Sequence, residues 1–278
     1  MTHAVIGEHV RSRPVTPNSI LAEMLDHLVL LHDQGETGSD AFSIGLAEVQ
    51  RLASGLEGYV RKSSSPESVA LQELSNRTAT HNWDESFASG ETGHALEQEM
   101  LSGQVEGQLL QILIRSTKAH RVLDIGMFTG YSSLAMAEAL PENGEVIACE
   151  LDPYVAQFAQ ESFSRSTHAD KIKVHVGPAL QTINRLADGN ERFDFVFIDA
   201  EKTGYIDYLC CLLDREMLTE AALICVDNTL MQGEPYTAIA TEAGRAITQF
   251  NEFVSSDSRV RQVMLPLRDG VTLIQRVD

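Results

Sequence analysis

Apolar positions in the first 65 residues recur at helical spacing. Ile20, Leu21, Met24, Leu25 and Leu28 follow Asn18-Ser19, and Phe42, Leu46, Val49, Leu52, Leu56 and Tyr59 form a second stripe. Both stripes predict packing helices, and neither carries side chains suited to chemistry. Ser63-Ser64-Ser65 before Pro66 reads as a link. Ser65 is expected to cap a third helix whose first turn accepts Pro66 and which carries Ala70, Leu71 and Leu74. From residue 106 the pattern becomes an alternation of helix and strand, with strands predicted at 122–126, 145–150, 171–177, 193–199 and 221–227. Apolar runs such as Phe195-Val196-Phe197-Ile198 suit strands covered on both faces. Right-handed helical crossovers between them give a doubly wound parallel sheet. At the end, 262–267 and 271–277 flank Asp269-Gly270, a pair that favours a tight hairpin and an antiparallel final strand. No internal repeat or low-complexity tract interrupts this order.

A chain of 278 residues with 43% hydrophobic side chains can bury one sizeable core. The expected organisation is therefore a helical extension over 1–65 and one principal domain over 66–278. A formal net charge of -19 disfavours nucleic acid and anionic membrane surfaces as partners, and no long Lys/Arg cluster offsets it. Apolar stretches such as 28–31 and 109–114 fall far below the roughly 20 residues that span a bilayer. The N-terminus lacks the basic start, long apolar run and small-residue cleavage site of a secretory signal, so a cytoplasmic location is expected. Cys149 and Cys225 fall in strand-like runs and Cys210 adjoins Cys211, a pattern of reduced thiols and not of a zinc ribbon or disulfide framework. The histidines show no HExxH spacing, so any metal must rest on oxygen ligands.

In an open α/β sheet, ligands bind beyond the carboxyl ends of the strands near the topological switch point. After the first strand, Asp124-Ile125-Gly126-Met127-Phe128-Thr129-Gly130-Tyr131-Ser132 places glycines where bulky side chains would keep a ligand from the backbone. The spacing is not GxGxxG, and a glycine turn alone is a weak signal. Glu150 strengthens it, because an acid closing the second strand can accept hydrogen bonds from both ribose hydroxyls. A dinucleotide site would use the same acid. However, S-adenosylmethionine carries an ammonium and a sulfonium where a dinucleotide carries a pyrophosphate, so an acidic Asp124 suits the methyl donor.

Taken together, Glu106-Gly107-Gln108, 124–132, Gly177-Pro178-Ala179, Ile198-Asp199-Ala200-Glu201-Lys202, Asp227-Asn228-Thr229 and Leu265-Pro266-Leu267-Arg268-Asp269-Gly270 stand in one order over residues 67–278. In that order the chain resembles the class I cation-dependent O-methyltransferases of the caffeoyl-CoA and catechol type. The resemblance implies a Rossmann-like, mostly parallel seven-stranded sheet and a homodimer. It implies cofactor contacts from Ser102, Asp124, Gly126, Met127, Ser132, Glu150, Ala179 and Asp199, with S-adenosyl-L-methionine as methyl donor. Asp199 at the end of the fourth strand and Asp227-Asn228 at the end of the fifth are the implied ligands of Mg²⁺ or a similar ion, a small set of hard oxygens that leaves room for water and substrate. A lone acid after a strand is otherwise a helix cap. Lys202, three residues past Asp199, takes the family's catalytic position, where it can accept the acceptor's proton or stabilise its oxyanion.

Glu201 stands where the family often has Asp, and Gln232 where it often has Asn, so the acceptor rim is expected to be reshaped. The long N-terminal segment, 96–103 and 126–130 look most like the methyltransferases of mycosporine-like amino acid biosynthesis, which implies demethyl-4-deoxygadusol as small-molecule acceptor. A catechol or phenylpropanoid acceptor is the alternative. Outside this class, a nicotinamide-dependent dehydrogenase would use the same sheet, and binding of S-adenosylmethionine against NADH separates the two. A non-catalytic member would lack the metal ligands or the lysine, which are all present.

Overall fold

A computed structural model of the protein describes residues 14–237 and 241–277. The sequence expectation about a leader concerns residues 1–13, outside the described residues. The chain divides into two compact units at Ser65/Pro66. In the first, α1 (Pro17–Asp33) and α2 (Asp40–Ser63) close on Leu28, Leu31 and Val49; Leu28 and Val49 belong to the predicted stripes, whereas Leu25, Leu46, Leu56 and Tyr59 of those stripes are exposed. Thr16 and Ser39 cap their starts with side-chain oxygens.

The second unit is a seven-stranded sheet with helices on both faces. Its strands are β1 (Arg121–Ile125), β2 (Glu145–Glu150), β3 (Ile172–Val176), β4 (Phe193–Ile198), β5 (Leu218–Val226), β6 (Val260–Leu265) and β7 (Val271–Arg276). They lie in the order β3-β2-β1-β4-β5-β7-β6. The first five are parallel and β7 runs antiparallel to both neighbours. The direction of winding reverses between β1 and β4, which is the switch point. The helices are α3 (Val69–Thr80), α4 (Trp83–Ala88), α5 (Gly103–Thr117), α6 (Tyr131–Ala139), α7 (Pro153–Phe163), α8 (Ala179–Asp188), α9 (Tyr205–Asp214) and α10 (Glu242–Ser256).

Strand residues alternate between two cores. Phe193, Val196 and Ile198 pack with Ile183, Leu209, Leu212, Ile247 and Phe250, whereas Phe195 and Phe197 pack with Leu71, Leu74, Leu110, Ile114 and Leu134. Both faces being covered is why these strands read as continuous apolar runs.

Two local expectations are corrected. The cap of α3 is Ser68, whose Oγ accepts from the Leu71 amide at 3.1 Å, and not Ser65. The helix begins only at Val69, so Pro66 and the two residues after it stay outside the helix. The β6–β7 connection is a five-residue loop, 266–270, in which Arg268 and Gly270 have positive φ, and not a two-residue turn on Asp269-Gly270. Strand ends otherwise shift by one or two residues, except that β5 starts three residues before the predicted 221. No described helix is long and apolar enough to cross a membrane.

Candidate active site

The residues with predicted chemistry line up at the carboxyl ends of the parallel strands in the order of the sheet. Ala179 opens α8 past β3, Glu150 closes β2, Asp124 to Ser132 turn from β1 into α6, Asp199 and Lys202 follow β4, and Asp227-Asn228 follow β5. Ser102 joins them at the start of α5, buried and with its hydroxyl unused as a cap.

On the β3-β2-β1 side, Asp124 is fully buried. Its Oδ2 accepts from Ser132 Oγ at 2.8 Å and from Ser133 Oγ, while Oδ1 has no hydrogen-bond partner. Burial pushes its pKa up to about 7, opposed by the two serine hydroxyls and assisted by Asp199. A carboxyl so placed favours a cationic ligand, which would let it ionise. Glu150 accepts from the Phe128 amide on Oε2 and from the Asp152 amide on Oε1, both at 2.9 Å. Burial also takes its pKa up to about 7. Each oxygen keeps a second lone pair for a ligand hydroxyl.

Gly126 and Gly130 have φ of +92° and +93°. Packing within the chain gives each of them a reason to be glycine. A Cβ on Gly126 would stand 2.2 Å from the Asp199 carbonyl oxygen, and one on Gly130 would stand 2.3 Å from the Phe163 ring. These glycines let the turn after β1 touch the chain after β4 and the side of α7. Met127, next to Gly126, is buried.

On the β4-β5 side, the Asp199 amide donates to Ile125 O at 2.9 Å and the Asp227 amide to Ile198 O at 3.0 Å. Each acid therefore extends its strand by one bond beside its neighbour's end. Lys202 donates from Nζ to Asp199 Oδ1 at 3.0 Å and to Tyr205 Oη at 2.9 Å, and Tyr205 donates to the Asp227 carbonyl at 3.3 Å. Burial acts to lower the Lys202 pKa, but Asp199 and Tyr205 outweigh it and hold the ammonium above the ordinary lysine value. Asp227 is 6% exposed and its Oδ1 lacks a hydrogen-bond partner. Burial first, and Asp199 next, push its pKa up to about 7. Asn228 has φ +59° and donates from Nδ2 to Asp269 Oδ2 at 3.2 Å. Glu201 and Gln232 are exposed.

Three residues here have no role in the sequence reading. Tyr205 holds Lys202, and Asp269 holds Asn228. Glu106 is fully buried with neither oxygen hydrogen-bonded, and the nearest cation is Arg268 Nε at 3.7 Å. Burial, then Asp227 and Asp199, push the Glu106 pKa well above the ordinary carboxylate range. Its signal was available: Glu106, Gly107, Leu110, Gln111 and Ile114 share the inward face of α5, so the spacing itself puts a carboxylate at a core position. Among the described residues no three His, Cys, Asp or Glu side chains converge as a metal cage. The oxygen donors directly after β4 and β5 are the Asp199 and Asp227 carboxylates and the Asn228 amide.

The family model described as O-methyltransferase matches residues 61–277. Caffeoyl-CoA O-methyltransferase 1 of Eucalyptus globulus is 31% identical over 216 residues, spanning 74% of this chain and 81% of the relative. The caffeoyl-CoA O-methyltransferase of Petroselinum crispum is 32% identical over 221 residues, spanning 76% and 85%. The SAH-bound methyltransferase PaMTH1 of Podospora anserina superposes with a TM-score of 0.70 at 27% identity, over 82% of this chain and 97% of that one.

Proposed function

This chain belongs to the O-methyltransferase family and is an S-adenosylmethionine-dependent enzyme; from that premise we propose that it methylates one hydroxyl of a small molecule bearing adjacent oxygens, with a divalent cation at Asp199, Asp227 and Asn228. One observation carries the reading. On either side of the switch point stands a buried carboxylate with an unpartnered oxygen, Asp124 Oδ1 and Asp227 Oδ1, so two sites for positive charge lie along one sheet edge.

Asp124 would take the ammonium of the methyl donor, with Ser132 and Ser133 fixing the carboxylate's direction. Glu150 would bind the ribose hydroxyls, and Ser102, Gly126, Met127 and Ala179 would complete the walls. Asp199 would serve both ligands, since its charge acts on both Asp124 and Asp227. The donor set fits an oxygen-preferring ion such as Mg²⁺, because the buried Asp227 Oδ1 has no other partner and Asp199 and Asn228 offer only hard oxygens beside it. When bound, such an ion chelates two adjacent oxygens, acidifies the hydroxyl and fixes its direction. Lys202 stands as an ammonium beside Asp199 and in that form stabilises the developing oxyanion. Accepting the proton requires first that the Asp199 charge be engaged elsewhere.

For the acceptor we infer demethyl-4-deoxygadusol, whose cyclohexenone carries neighbouring oxygens, on the likeness of 96–103 and 126–130 to the mycosporine-type enzymes. The caffeoyl-CoA relatives favour a phenylpropanoid or catechol as the second reading. Exposed Glu201 and Gln232 would line the rim that separates the two. The proposal extends to a cytoplasmic homodimer without nucleic-acid or membrane partners. An assay of labelled methyl transfer against demethyl-4-deoxygadusol, caffeoyl-CoA and a simple catechol tests the acceptor. Preference for the first by kcat/KM supports the inference, and preference for either other compound replaces it.

A further inference from the structure

The loop that joins β6 to β7 reaches the carboxyl end of β5, because β7 pairs with β5 through Val226 and Thr272. Two main-chain bonds fasten it there. The Leu230 amide donates to Asp269 O at 2.9 Å, and the Thr229 amide to Gly270 O at 3.0 Å. With its backbone held, the Asp269 side chain meets two donors, one on each oxygen. Oδ2 accepts from Asn228 Nδ2 at 3.2 Å, and Oδ1 accepts from the Gln232 amide at 2.6 Å.

A carboxylate only accepts hydrogen bonds. The Asn228 atom facing Asp269 must therefore be the NH₂, which leaves the amide oxygen as the group free to meet a cation. Asn228 and Gln232 both have positive φ, so the segment between them is a strained turn whose two ends are fastened to the same side chain. The geometry points to Asp269 as a positioning residue: it fixes which end of the Asn228 amide is offered to the cation and ties that ligand to the rim residue Gln232. This rests on the reading of Asn228 as a cation ligand. Partners one bond beyond a metal ligand commonly change metal affinity by about 10- to 100-fold when altered.

Asp269→Asn gives the sharpest test because it preserves shape and leaves the loop's main-chain bonds untouched. The new side chain has one acceptor and one donor. Its oxygen stays with the Gln232 amide, the shorter of the two bonds, and its NH₂ then faces Asn228. Asn228 must turn its oxygen toward that NH₂ and its own NH₂ toward the cation. Mn²⁺ binding to the full chain is read by the free-ion electron paramagnetic resonance signal, at low salt and at about 1 M KCl, where the Debye length is roughly 3 Å. Asp269→Asn should weaken Mn²⁺ by about 10- to 100-fold at both salt concentrations. S-adenosylmethionine affinity by calorimetry should stay within about twofold, since Asp269 faces the other side of the switch point. Unchanged Mn²⁺ affinity, or a loss that vanishes at high salt as a simple charge effect would, overturns the inference alone. Wild-type protein that binds no Mn²⁺ overturns the cation reading, and this inference with it.

Discussion

Lys202 is held from two sides, its Nζ donating to Asp199 and to Tyr205, and its own ammonium is assigned to neither the cation nor the methyl donor. Lys202→Met should therefore lower turnover by about 100- to 10,000-fold, the usual range for a group that handles the reacting proton. Mn²⁺ and S-adenosylmethionine affinities should stay near wild type, and raising the pH should restore part of the rate by ionising the acceptor. Single-turnover kinetics with separate binding measurements check this; wild-type turnover, or donor affinity lost in step with the rate, removes Lys202 from the chemistry. Residues of this kind were legible because their position after a strand is part of their meaning. Asp199 and Asp227 follow that rule strictly, whereas Glu150 closes β2 and Asp124 is the penultimate residue of β1. Asp269 did not, because Asp before Gly is also what a tight turn demands, and turn chemistry supplied a sufficient reason for it. Glu106 stood in the motif Glu106-Gly107-Gln108 without a chemical role, its neighbours reading simply as a helix.

At the scale of elements, the site depends on how closely the turn after β1 approaches the chain after β4. Gly126→Ala would place a methyl 2.2 Å from the Asp199 carbonyl and force a side chain into φ +92°. The strained dihedral alone costs about 1 to 3 kcal/mol, and the clash adds to it. A free energy of unfolding by urea lowered by at least that much is expected, together with weaker binding of both the methyl donor and Mn²⁺. A variant as stable as wild type with both affinities intact would mean that the two turns can separate without harm. Strand positions were readable to within a few residues because both faces of the sheet are buried, which leaves a long apolar signature. The cap of α3 was not, since Ser63, Ser64, Ser65 and Ser68 are chemically equivalent candidates and the choice falls where the chain first packs, at Leu71 and Leu74. The five-residue loop between β6 and β7 escaped for a related reason: its extra length serves the side-chain bonds of Asp269 across to Asn228 and Gln232, which local turn preferences do not register.

For the whole molecule, the burial of acids at one edge makes a prediction about pH. Asp124, Glu150 and Asp227 each have a pKa pushed by burial up to about 7, whereas unfolded carboxyls titrate near roughly 4. The fold thus keeps protons that the unfolded chain has released. The stability these groups lend is complete below about pH 4 and is lost as pH rises through about 7. His175, lowered first by burial, works in the opposite direction near its ordinary value but is a single group. Ligand-free protein should melt at a lower temperature at pH 7.5 than at pH 5.5. Cation and methyl donor together should stabilise it more at pH 7.5, where the acids are ready to meet positive charge. A ligand-free melting temperature that climbs from pH 5.5 to 7.5 would show that these acids are relieved in some other way. The account's central claim is tested most directly by transfer of labelled methyl from S-adenosylmethionine to an acceptor with adjacent hydroxyls, before and after chelation. Transfer to one of the paired hydroxyls should cease with chelator and return with added Mg²⁺; full transfer by metal-free protein would contradict it.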